Sequence, residues 1–210
     1  MKRIRILLAD DHILTLEGIR AVLEPNHEIV GMVRDGRDLL DSALRLKPDM
    51  VVLDITMPLL NGIDAAAQIK RSLPATRILF VTMHVNPAYL EAALNAGAIG
   101  YVLKSAAGEE LLKAIDTVNG GHIYVSPDLS KEHHFEVFTD PSRAAATLRP
   151  STREREVLQL IAEGRAAKEI AHLLSISIKT VAFHRENIKR KLGMRTTAEL
   201  TRHAIEQGLV

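Results

Sequence analysis

Met50-Val51-Val52-Leu53-Asp54-Ile55-Thr56-Met57-Pro58 reads as a strand that carries a carboxylate to a sheet edge. Four apolar residues, two of them β-branched, run without a polar break into Asp54. That is the pattern of a strand buried on both faces. Pro58 stops the strand and opens a loop. A carboxylate at the carboxyl end of a parallel strand lies where open α/β sheets hold their ligands. Taken alone, Asp54 is equally well a turn residue after a core strand, so the neighbouring segments decide.

Upstream, Ile4–Ala9 is a short apolar strand ended by Asp10 and Asp11. His12–Glu24 carries Ile13, Leu16, Ile19 and Leu23 at helical spacing before Pro25. A strand over Ile29–Val33 and a helix over Asp38–Lys47 follow. Downstream come a helix over Gly62–Leu73, a strand over Arg77–Thr82, a helix over Ala88–Ala96, a strand over Gly100–Lys104 and a helix over Glu109–Val118. Five strand–helix units predict an α/β domain: a flavodoxin-like, five-stranded parallel sheet with helices on both faces and right-handed crossovers.

The boundaries predict residues 1–125 as this α/β domain, 126–148 as a linker and 149–210 as a second, all-α domain of four helices. The linker contains Pro127, Pro141 and a His133-His134 pair; with no third ligand spaced nearby, the pair reads as a solvated loop. Ser151 and Glu154 match a capping box, and helices over Lys168–Leu174, Lys179–Leu192 and Thr197–Gln207 follow.

With 210 residues there is room for two such cores, and the absence of Cys excludes disulfides and thiolate metal sites. No signal-peptide core and no bilayer-length apolar segment is present, so no membrane association and a cytoplasmic location are expected. The net charge of +1 conceals an asymmetry. Residues 1–125 hold 13 Lys/Arg against 15 Asp/Glu, whereas residues 149–210 hold 12 against 7. A basic helical domain points to a polyanionic partner, although a solvated basic face would look the same.

Asp10, Asp11 and Asp54 end neighbouring strands at the topological switch point of such a sheet. Clustered carboxylates repel, and a hard divalent cation relieves this; oxygen ligands suit Mg²⁺, which keeps waters and accepts a phosphate. Thr82 and Lys104 end the next two strands. An ammonium and a hydroxyl there would complete a phosphoryl site, in which Asp54 could serve as a carboxylate nucleophile forming an acyl phosphate.

On these residues, with Met57-Pro58 after the acceptor and Tyr101 three positions before Lys104, segment 1–125 resembles the receiver domain of two-component response regulators. The resemblance implies Asp54 as phosphoacceptor, Asp10, Asp11 and Asp54 as Mg²⁺ ligands, and Thr82, Lys104 and Tyr101 as the switch. Tyr101 is then expected to turn inward with Thr82 on phosphorylation. Thr56 and His84, two past Asp54 and Thr82, are implied to tune the phosphoryl lifetime. Ser105 departs from the proline common after the Lys.

The short helix, tight turn and longer helix from Lys168 to Leu192 have a helix-turn-helix outline. Arg153-Glu154-Arg155-Glu156-Val157-Leu158, Lys168-Glu169-Ile170-Ala171, Thr180-Val181, His184 and Lys191-Leu192-Gly193 resemble a LuxR-type DNA-binding domain, with Ala167 and Pro150 as departures. Lys168, Lys179, Thr180, Ala182, Phe183, His184, Arg185, Glu186, Lys189 and Lys191 are the candidate contacts to double-stranded DNA. Lys179, Arg185, Lys189 and Lys191 are expected on phosphates; Ala182, Phe183 and Glu186 face bases. Phe183 either meets a thymine methyl or packs on a neighbouring helix.

Together the two resemblances imply a NarL/FixJ-type response regulator. It would take its phosphoryl group from a sensor histidine kinase, bind DNA as a homodimer and meet RNA polymerase as a further partner. A haloacid-dehalogenase-type enzyme also uses an aspartyl phosphate, but its motif wants a second Asp where Thr56 stands. A regulator answering a small ligand would not need the acidic pocket and Lys104.

Overall fold

The computed structural model describes residues 3–105, 108–132 and 150–210. The chain divides into two compact units that meet in sequence at Thr139/Asp140. In the first, β1 (Arg5–Ala9), β2 (Glu28–Val33), β3 (Met50–Leu53), β4 (Arg77–Thr82), β5 (Gly100–Leu103) and β6 (Tyr124–Val125) form one sheet ordered β2-β1-β3-β4-β5-β6. Every pairing is parallel. Between the strands run α1 (Ile13–Leu23), α2 (Gly36–Leu46), α3 (Gly62–Ser72), α4 (Pro87–Asn95) and α5 (Gly108–Asn119).

Side chains alternate between two cores, as the period of a strand requires. Val51 and Leu53 join Leu39, Ala43, Ala65, Ile69 and Leu90 of α2, α3 and α4. Met50 and Val52 join Leu16, Leu23, Leu111, Ala114 and Ile115 of α1 and α5. The unbroken apolar run of β3 is thus explained by burial on both faces.

The sheet has six strands where five were expected. The additional β6 is only two residues long and follows Gly121, at φ 84°. A strand that short has no hydrophobic period to read. Beyond it, α6 (Pro127–Glu132) occupies the start of the stretch expected as linker, and Leu129 is buried in the core of the first unit. The His133-His134 pair lies outside the described residues.

The loop after β3 is held by two glycines. A Cβ on Gly62 would stand 2.0 Å from the Asp54 carbonyl oxygen, and one on Gly36 would stand 1.8 Å from that of Leu60. Backbone donors take the space instead: Gly62 N–H to Ile55 O at 2.7 Å and Gly36 N–H to Pro58 O at 3.2 Å.

The second unit contains α7 (Thr152–Ala162), α8 (Ala167–Leu173), α9 (Ile178–Leu192) and α10 (Thr197–Glu206). The capping box is formed: Ser151 Oγ accepts from Glu154 N–H, and Glu154 Oε2 accepts from Ser151 N–H at 2.7 Å. Val157, Leu158, Ile161, Ile170, Val181, Ile188, Leu200 and Ala204 are the buried apolar residues around which the four helices pack. Ser175, at φ 52°, makes the turn between α8 and α9, and Ser177 caps α9 by accepting from Thr180 N–H at 3.0 Å.

Candidate functional site

β1 and β3 end one residue before their aspartates, so Asp10 and Asp54 are the first residues past the sheet. Their backbones still follow it: Asp54 N–H donates to Ala9 O at 2.9 Å and Asp10 N–H to Val33 O at 3.2 Å. Lys104, the first residue past β5, donates its N–H to Thr82 O at 2.8 Å. Parallel pairing therefore brings the three residues to one end by backbone geometry alone. The side chains meet there. Lys104 Nζ lies 2.6 Å from Asp10 Oδ2 and 2.7 Å from Asp54 Oδ2.

Asp10 and Asp54 are 1% and 5% exposed, which makes this a buried charge cluster. Burial raises the Asp10 carboxyl above its ordinary value, against the opposing pull of Lys104 and the His12 N–H. Burial alone would lower Lys104, but its bonds to Asp10 and Asp54 outweigh that and hold the ammonium above its usual value. Asp11 is half-buried and pairs with His12, Oδ1 to Nδ1 at 2.7 Å. One donor atom from each of Asp10, Asp11 and His12 falls within 4.8 Å of the others. The Asp10 and Asp11 carboxylates, hard oxygen donors brought together at the end of β1, fit a divalent metal.

Thr82 and Tyr101 are joined to one another through His84. Thr82 Oγ1 accepts from His84 N–H at 3.3 Å, and Tyr101 OH donates to His84 O at 2.8 Å. The His84 ring shares a hydrogen bond with Thr56 Oγ1 at 2.9 Å and stacks on Tyr89 at 4.1 Å. Burial lowers the His84 pKa, with the Asp54 charge opposing. Tyr101 is 1% exposed, beside Phe80. Tyr101 thus lies inward here, the orientation that the resemblance associates with phosphorylation. Burial and the Asp54 charge raise its phenol, which stays a hydrogen-bond donor.

In the helical unit, α9 is the longest helix and carries one exposed stripe. Lys179, Ala182, Phe183, Glu186 and Arg190 lie along it, all exposed. Their spacing of three and four residues makes them one helix face. Phe183 is 63% exposed, so it does not pack on a neighbouring helix. Lys168 is exposed on α8. Within the stripe Arg190 donates to Asn187 Oδ1 at 2.8 Å, and the remaining candidates also make internal bonds. Lys191 Nζ pairs with the buried Glu154 at 2.6 Å, Arg185 donates to Thr197 Oγ1, and Thr180 Oγ1 bonds Ser177 Oγ at 2.8 Å. His184 is half-buried, and Lys189 pairs with Glu186 at 3.2 Å.

Residues 6–116 match the response regulator receiver domain, and residues 151–204 match the bacterial regulatory proteins of the luxR family. The transcriptional regulatory protein MctR of Rhizobium johnstonii is 40% identical over 99% of this chain and 96% of its own length. The oxygen regulatory protein NreC of Staphylococcus aureus is 37% identical over 98% of this chain and 99% of its own. RcsB from Salmonella enterica serovar Typhimurium, solved bound to a promoter in the presence of phosphomimetic BeF3⁻, aligns with a TM-score of 0.60 at 32% identity, over 99% of this chain and 98% of that one. The chain belongs to the NarL/FixJ-type response regulators. This response regulator is a transcriptional regulator and not an enzyme, pairing a receiver with a LuxR-type DNA-binding domain.

Of the residues the sequence singles out, the structure brings Asp10, Asp54 and Lys104 of the regulator into contact, and ties Thr82 and Tyr101 to one another through His84. It turns Lys191 inward. Gly36 and Gly62 show no signal in the sequence, because their role lies in space that a side chain would fill. His12 joins the acidic pair without a sequence signal, whereas Arg190 is signalled by its place eleven residues after Lys179 on the same helical face. Among the described residues, no helix is long and apolar enough to cross a membrane.

Proposed function

We propose that Asp54 accepts a phosphoryl group from a phosphohistidine of a sensor histidine kinase, and that the resulting acyl phosphate changes how this response regulator binds DNA. The observation that carries this is the Lys104 ammonium bridging Asp10 and Asp54 in a buried pocket. A carboxylate oxygen of Asp54 attacks phosphorus while the P–N bond breaks, and the imidazole leaves with the bonding pair. Lys104 holds the charge of the transferred oxygens, and Thr82 supplies a hydroxyl to one of them. Asp10, Asp11 and Asp54 would hold Mg²⁺, which screens carboxylate from phosphate when bound.

Population of the inward Tyr101 orientation, anchored on His84, is the reading of the switch. Phosphorylation shifts an equilibrium between existing states. Thr56 and His84, bonded to one another beside Asp54, tune how long the acyl phosphate lasts.

On DNA, the exposed stripe of α9 enters the major groove. Lys179, Lys189 and Arg190 neutralise phosphates with Lys168, while Ala182, Phe183 and Glu186 meet base edges. Thr180, His184, Arg185 and Lys191, candidates by sequence, instead position the helix. One short helix reads few base pairs, so two chains pair on adjacent half-sites about 10 bp apart. The regulator works in the cytoplasm, with RNA polymerase as its further partner. The proposed boundaries keep residues 1–125 as the phosphorylated domain and 149–210 as the DNA-binding domain.

Intact mass after incubation with acetyl phosphate and Mg²⁺ tests the acceptor. One phosphoryl adduct is expected in the wild type. No adduct, or one that survives in folded Asp54→Asn, removes the assignment.

A further inference from the structure

We infer that Ser126 is a positioning residue for Lys104, and that through it the phosphoryl site is wired directly to the root of the segment leading to the DNA-binding domain. The inference rests on Asp54 as acceptor, and its test separates the two.

β5 presents two edges. On the β4 side the pairing runs to its end, with Val81 beside Val102 and Thr82 beside Leu103, and Lys104 N–H then donates to Thr82 O. On the other side, β6 pairs only Gly100 with Tyr124 and Tyr101 with Val125. Ser126 N–H closes on Tyr101 O at 2.9 Å, and there the backbone ladder stops. Leu103 N–H, one residue before Lys104, would be left without an acceptor at a buried edge. Ser126 Oγ accepts from it at 3.0 Å.

The same hydroxyl donates to Glu110 Oε1 at 2.5 Å, at the start of α5. Ser126 is 2% exposed, and Pro127 begins α6 immediately after it. A single side chain therefore ties the residue before Lys104, the first turn of α5 and the first residue beyond the sheet. An unpaired buried N–H is costly, so these bonds hold together or are lost together.

Two consequences follow. Lys104 has to keep its ammonium across Asp10 and Asp54 at rest and follow the phosphoryl oxygens afterwards, and the peptide carrying it is clamped on one side by Thr82 and on the other by Ser126. Any shift at Tyr101 or Lys104 also reaches Tyr124–Ser126 through hydrogen bonds rather than through packing. By linkage, the state of that segment acts back on the site.

The test uses full-length wild type, Ser126→Ala and Glu110→Ala. The second variant removes the acceptor of the Ser126 hydroxyl at a half-exposed position, which keeps the test open if Ser126→Ala fails to fold. Intact mass first establishes an adduct on Asp54 in the wild type; its absence there defeats the acceptor reading itself. Amide exchange at Leu103 and DNA affinity are then measured with and without acetyl phosphate. In both variants, the adduct is expected to form more slowly, the Leu103 amide to exchange faster, and the phosphorylation-dependent gain in DNA affinity to shrink by roughly five-fold or more. Unphosphorylated DNA affinity stays at the wild-type value, and Ser126→Thr, which keeps the hydroxyl, restores the gain. A gain within about two-fold of wild type in the folded variants overturns the inference, as does an unchanged Leu103 amide.

Discussion

The acidic end of the receiver sheet and the exposed face of α9 both carry charged residues, and they are specified in opposite ways. In the receiver, Asp10, Asp54 and Lys104 are each the first residue after a strand, and their backbones are hydrogen-bonded to the neighbouring strand. Pairing fixes where they go, and burial makes each charge depend on the others. On α9 the helix fixes only direction. Whether a cation there is free to meet DNA depends on what else stands within reach, and Lys191 lies 2.6 Å from Glu154, across the unit. Burial locks the charges to one another in the first region. In the second, exposure leaves function to the local partners.

That difference predicts different failures. The largest effect belongs to the receiver: Asp54→Asn should abolish the acetyl phosphate adduct outright while the fold survives, read by intact mass and circular dichroism. Gly62→Ala comes next. Its Cβ has no room beside the Asp54 carbonyl, and the change should destabilise the receiver by roughly 1–3 kcal/mol, as overpacking does, and slow phosphorylation. Wild-type urea midpoint and adduct rate in that variant would mean that the loop is not built around the glycine.

In the DNA-binding unit, Glu154→Ala removes both a cap and a buried partner of Lys191. It should cost about 2–3 kcal/mol, less than a fully buried pair because Lys191 can rehydrate. The bonds from Lys191 and Ser151 outweigh burial and hold Glu154 below its ordinary value. The unfolded chain therefore takes up a proton first as pH falls. The contribution of Glu154 is complete above about pH 4.5 and is lost as pH drops through its folded value. Urea unfolding of that unit should show this slope in the wild type and a flatter one in Glu154→Gln. Lys191→Ala should likewise lower stability and leave the salt dependence of DNA binding in place. A flattened salt slope with wild-type stability would instead return Lys191 to the phosphate contacts.

The smaller effects lie on the exposed stripe. Arg190→Ala and Lys189→Ala should each weaken all sequences alike and flatten the log–log salt slope by about 0.9. Glu186→Ala should relax preference at one base position, at a cost of roughly 1–3 kcal/mol on the matched site. An unchanged preferred site in that variant would remove Glu186 from the reading set.

The receiver was legible because its chemistry follows from strand ends. An apolar run that stops at Asp54, with Asp10 and Lys104 ending other strands, implies their meeting before any coordinates are known. What stayed hidden had no period or no charge to show it. β6 is two residues long, Ser126 acts through one hydroxyl, and Gly36 and Gly62 act by lacking a side chain. The helix-turn-helix outline was equally legible, but the pairing of Lys191 with Glu154 joins residues 37 apart across two helices, which no local pattern announces. Arg190 is readable from its helical phase with Lys179.

The central claim is that a phosphoryl group on Asp54 governs DNA binding. Genome-wide capture of DNA fragments by the full-length protein, with and without acetyl phosphate, tests it most directly when wild type and Asp54→Asn are run side by side. A discrete set of fragments enriched by the donor is expected in the wild type, and no donor-dependent difference in Asp54→Asn. The same fragments recovered with equal strength with and without the donor, from a wild type shown to carry the adduct, would contradict it.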